Sequence, residues 1–66
     1  MMKLDKKRFD LIRAEKCMTF KKVTELSGVS AVTIRKGFKN KISGVAVGKI
    51  AAALGVTVKE IIIEED

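Results

Sequence analysis

The stretch LSGVSAVTIRKGFKN, residues 26–40, decides the fold. Its Val29, Val32, Thr33 and Ile34 suit a strand, with Gly28 and Gly37 as turns. The same letters also spell a glycine turn feeding a helix that carries Arg35, Lys36 and Lys39. The neighbouring residues arbitrate. A hairpin needs an alternating partner strand, but KKVTELS just before (21–27) is apolar at Val23 and Leu26, a helical step. β-branched residues lower helix propensity by only a few tenths of a kcal/mol each, and a packed apolar face overrides that. The reading is helix end, turn and second helix.

A repeated local pattern supports this reading along the whole chain. LDKKRF (4–9), MTFKKV (18–23), VSAVTI (29–34), ISGVAV (42–47) and VTVKEI (56–61) share one form. Each has an apolar residue, then Asp, Ser or Thr, then three positions, then another apolar residue. This is a helix N-cap inside a hydrophobic staple. The side-chain oxygen accepts from a free backbone N–H, and the residue before it packs on the fourth helical residue. The matches recur at intervals of 11–14 residues. They predict five helices, capped by Asp5, Thr19, Ser30, Ser43 and Thr57. Glu60 can complete a capping box with Thr57. Gly28 and Gly55 fall just past helix ends, where a left-handed residue is favoured.

Composition bounds the function. With 66 residues the chain is read as one small domain, residues 1–66. It has no histidine and a single cysteine, Cys17, so neither an internal disulfide nor a Cys/His zinc site is expected. Cys17 is expected to be a small, partly buried side chain, since no histidine could activate it as a nucleophile. Neither a signal peptide nor a membrane span is visible, so a soluble cytoplasmic protein is expected. The net charge of +6 is uneven: residues 1–41 carry +8 and residues 42–66 carry −2. A basic body with an acidic tail suits a polyanionic partner; a merely soluble basic surface is the plainer alternative.

Helices over about 20–27 and 31–39, joined only by Gly28, Val29 and Ser30, suit a helix-turn-helix. Val23, Val29 and Ile34 can meet inside its corner. The segments MTFKKVTELSGVSAVTI (18–34) and ISGVAVGKIAAALGVTVKEI (42–61) carry a resemblance over most of the chain. The sequence resembles the Cro/repressor-type (XRE-type, lambda-repressor-like) helix-turn-helix family. The resemblance implies an all-α, compact five-helix domain with helices 2 and 3 as the helix-turn-helix and helix 3 in the DNA major groove. By position, Ala31, Val32 and Lys36 fall where family members contact bases. Ser30 and Thr33 lie beside them, Thr19 falls where the family anchors a phosphate, and Arg35, Lys39 and Lys41 would follow the DNA backbone. The chemistry fits these roles. Lysine donates to guanine O6 and N7, whereas alanine and valine offer only apolar contact to a thymine methyl. Competing readings are that Val32 packs inward and that Arg35 and Lys39 are plain solvated cations.

The chain departs from the family pattern at four places. Phe20 stands where glutamine usually follows the cap, and Thr24 replaces a small alanine. Phe38 replaces the glutamate that usually pairs with the arginine at the Arg13 position. Arg13 must then face solvent, another acid or a phosphate. Gly37 replaces an apolar residue, so either Phe38 rotates in or helix 3 ends early. The expected function is sequence-specific double-stranded DNA binding by a small transcriptional regulator, as a homodimer, with Ile61, Ile62 and Ile63 as a candidate dimer interface. The alternative is a helix-turn-helix module acting mainly in protein–protein interaction. No enzyme activity, metal, cofactor, membrane partner or small-molecule ligand is expected.

Overall fold

The computed structural model describes residues 1–63. It contains four α-helices: α1 (Lys6–Glu15), α2 (Phe20–Ser27), α3 (Ala31–Lys39) and α4 (Gly44–Leu54). Each begins at an expected cap. The backbone N–H of Arg8 donates to Asp5 Oδ1 at 3.1 Å and that of Lys22 to Thr19 Oγ1 at 3.0 Å. Thr33 N–H donates to Ser30 Oγ, and Ala46 N–H to Ser43 Oγ, both at 3.2 Å. These bonds satisfy donors that a helix start leaves without partners.

The staple residues then build the core. Leu4, Phe9, Val23, Val29, Ile34, Ile42, Val47 and Ile61 are all buried and form one cluster with Ile50, Ala51 and Leu54 of α4. The apolar residue four positions past each cap is therefore always inside. The short link between α2 and α3 is held by its own polar groups. Buried Ser27 accepts the Val29 N–H at 3.1 Å, and Gly28 takes a left-handed φ of 72° that a residue with a Cβ resists.

The fifth predicted helix does not form. Val58–Glu60 is a single 3-10 turn. The start signal itself is present, since the Thr57 N–H donates to Glu60 Oε2 at 2.7 Å. What stops the helix is a competing partner for its backbone. The Ile61 carbonyl accepts from the Asp5 N–H at 2.8 Å. Ile62 and Ile63 form strand β2, antiparallel to β1 (Lys3–Leu4), with Lys3 opposite Ile63 and Leu4 opposite Ile62. On the other side of β1, Met2 bridges to Ile42. The molecule is mostly helical and compact, with a small sheet that ties its beginning to residue 63. The acidic end, Glu64, Glu65 and Asp66, lies outside the described residues.

That sheet explains Gly37. α3 runs unbroken to Lys39, and Phe38 does not fill the gap. Leu4 and Ile42 do: a Cβ at position 37 would stand 2.8 Å from Leu4 Cδ1 and 2.9 Å from Ile42 Cδ1. The glycine lets α3 lie close against β1.

Two further expectations need correction. Ile61 is fully buried, so it has no surface to lend a dimer interface; Ile62 is half-buried and Ile63 is 41% exposed. Cys17 is exposed, not partly buried. It ends α1 in a left-handed conformation, φ 54°. Its N–H donates to the Ala14 carbonyl at 3.0 Å, and the Met18 N–H to the Arg13 carbonyl at 2.9 Å. α4 ends in the same paired-bond motif, with Gly55 at the left-handed position. A non-glycine residue there costs about 1 kcal/mol. Cys17→Gly is therefore expected to stabilise the fold by about 1 kcal/mol, read as a raised urea midpoint at constant m value.

Candidate nucleic-acid interface

The outer face of α3 presents Val32, Arg35, Lys36 and Lys39 to solvent, with Ala31 and Thr33 half-buried beside them. Val32 is 74% exposed, so it does not pack inward. Ser30 caps the helix and its hydroxyl meets the Thr33 hydroxyl at 3.0 Å. That contact fixes both side chains at the N-terminal end of α3. Lys41 follows the helix, exposed, beyond Asn40. Thr19 is exposed at the start of α2, its Oγ1 engaged by the Lys22 N–H at 3.0 Å. All the residues expected to contact bases or phosphates thus lie on α3, its flanks, or the start of α2. Ile62 and Ile63 sit apart from them on β2.

The acids of α1 and its cap offset part of the positive charge at helical spacing. Among the described residues, every ion pair lies on or beside α1. Lys6 meets Asp10 at 3.3 Å, Arg8 meets Asp5 at 3.7 Å and Arg13 meets Asp10 at 3.3 Å. Exposed pairs of this kind contribute little to stability, and the two carboxylates offset only part of the charge of these three cations. The charge of α1 is therefore partly neutralised. Lys21, Lys22, Arg35, Lys36, Lys39 and Lys41 make no ion pair with any described residue. Lys3, Lys7, Lys16, Lys49 and Lys59 are likewise unpaired among the described residues, so six of the eleven unpaired cations lie on α2, α3 and the residues after α3.

The departures from the family pattern have physical substitutes. Phe38 and Phe20 both pack edge-on to the buried Phe9 ring, with centroids 5.2 and 5.9 Å away. Neither phenylalanine is loose on the surface. Arg13 finds an acid and a carbonyl instead of the missing glutamate: it donates to Asp10 Oδ1 at 3.3 Å and to the Met18 carbonyl at 3.0 Å. It therefore ties α1 to the segment leading into α2, while its Nε is buried without a partner among the described residues.

One contact has no counterpart in the expectations. The Arg35 guanidinium carbon stands 5.0 Å from the centre of the Phe20 ring, a cation–π distance. Its sequence signal is weak, because positions 20 and 35 lie in different helices and only the packing of α2 on α3 brings them together.

Among the described residues no cluster of three or more His, Cys, Asp or Glu side chains could hold a metal ion. No described helix is long and apolar enough to cross a membrane. Compared with family models, curated proteins and solved structures, the chain matches none.

Proposed function

We propose that this chain is a sequence-specific double-stranded DNA-binding regulator of the Cro/repressor-type helix-turn-helix family. In this reading α2 and α3 are the helix-turn-helix and α3 enters the major groove. The observation that carries it is the exposed face of α3 and its flanks, Arg35, Lys36, Lys39 and Lys41, which make no ion pair among the described residues. It stands beside a capped start of α2 whose positive dipole end suits a phosphate. Lys36, Val32 and Ala31 read base edges, Thr19, Arg35, Lys39 and Lys41 hold the backbone, and Ser30 and Thr33 lie beside them. The protein binds rather than catalyses. A domain this small offers a limited protein–DNA surface, so it works as a homodimer on two half-sites about 34 Å apart.

Selection of bound sequences from a random duplex pool, at low salt, tests the reading. Enrichment of a defined motif supports it; absence of any duplex binding sinks it. Lys36→Ala is expected to lower affinity about tenfold and to relax preference at one base position, as loss of a bidentate base contact does. An equal loss on all sequences would reassign Lys36 to phosphate.

The second reading is a module that binds a protein partner. Phe20 is packed on Phe9 and Ile62 is half-buried, so neither offers a partner a free apolar surface. It retains Val32 and Val45, which are 74% and 70% exposed. Duplex silence at low salt would favour it.

A further inference from the structure

We propose that Phe20 is a positioning residue that holds Arg35 ready as a phosphate-binding group. This rests on the polyanion-binding reading above. Three observations support it. First, Phe20 is itself fixed: it opens α2 directly after the Thr19 cap and its ring abuts Phe9, which is fully buried. Second, the Arg35 guanidinium carbon sits 5.0 Å from the centre of that ring. Third, Arg35 has no ion pair among the described residues.

The choice of an aromatic holder matters chemically. A carboxylate would hold Arg35 equally well but would cancel its charge and occupy its donors. A ring attracts the cation through its quadrupole and leaves the positive charge and the N–H fork for an incoming phosphate. The surroundings favour an anion. Arg35 lines an open groove between α1, the start of α2 and the end of α3, together with Lys6, Arg13 and Lys39, and Asp10 is the acid on its wall. A flexible arginine loses rotamer freedom when it clamps a phosphate; one already resting on a ring loses less.

The test is a double-mutant cycle with Phe20→Leu and Arg35→Ala. Binding is measured to a selected duplex and, separately, to inorganic polyphosphate, a polyanion without bases. Phe20→Leu is expected to weaken binding about two- to fivefold, the range of an exposed cation–π contact, with an unchanged salt slope. Arg35→Ala should reduce the slope by about one per protomer. In the Arg35→Ala background, Phe20→Leu should cost nothing further, and Phe20→Trp in the wild type should preserve affinity. An equal loss from Phe20→Leu with or without Arg35 would overturn the proposal, since that pattern reports a purely structural ring. In the free protein, the Arg35 side-chain protons should shift downfield when Phe20 becomes leucine; no change also overturns it. Coupling on polyphosphate without duplex binding would keep this inference and remove the DNA reading. Binding to neither probe removes both.

Discussion

Phe9→Ala is expected to leave a large part of the protein unfolded at 25 °C. Truncating a fully buried phenylalanine costs about 3–5 kcal/mol, and a domain of this length has a total stability of about 3–10 kcal/mol. Phe9 is fully buried and is the buried residue of α1. It also meets both other phenylalanines edge-on, and such pairs contribute about 0.5–1.5 kcal/mol each beyond burial. The remaining anchors of α1 are slight: half-buried Ile12 and the Arg13 bond to the Met18 carbonyl. Removing the ring leaves a cavity at the junction of α1, α2 and α3, and neighbouring backbones held by caps and the β1–β2 pairing cannot simply collapse into it. Urea unfolding followed by circular dichroism checks this. A cost below about 1.5 kcal/mol would mean the site refills, and α1 would then not depend on Phe9. Phe9→Leu, which keeps most of the volume, should cost much less.

The sequence exposes the helix starts because each is a local event. A cap and its staple lie within six residues, so the five repeated segments identify every cap, and their apolar ends supply eight of the eleven buried core hydrophobics. The ranges expected for α2 and α3 match those observed, Phe20–Ser27 and Ala31–Lys39. The features missed are non-local. Nothing near Lys3 announces that it will pair with Ile63, and that pairing is what ends the fifth helix after a single turn. Gly37 looks like a defect in α3 until Leu4 and Ile42 are seen against it. Three consecutive isoleucines fit no helical face, yet the turn and strand sort them with Ile61 inside and Ile63 outward. The candidate site is legible in part for the same reason. Helical spacing puts Val32, Arg35, Lys36 and Lys39 on one side of α3. That Phe20 supports Arg35 depends on α2 packing beside α3.

Duplex affinity should fall steeply with salt, and the steepness should report how many protomers bind. Each phosphate neutralised by lysine or arginine contributes about −0.9 to the slope of log K against log salt. With Lys36 assigned to a base, one protomer offers Arg35, Lys39 and Lys41 to the backbone. A monomer then has a slope of about −3 and a homodimer about −5. Between 50 and 200 mM salt the loss is about fortyfold for the monomer and about two-thousandfold for the dimer. Of the α1 cations, Lys6, Arg8 and Arg13 share Asp5 and Asp10 and have fewer counterions to release, while the exposed, unpaired Lys7 would add a full increment if it reached the backbone. A slope steeper than −6 would bring Lys21 and Lys22 into the interface, since both are exposed near the α2 start. A slope near zero would show that the positive face of α3 does not neutralise phosphates, and the exposed Val32 would then be the better guide to what this surface binds.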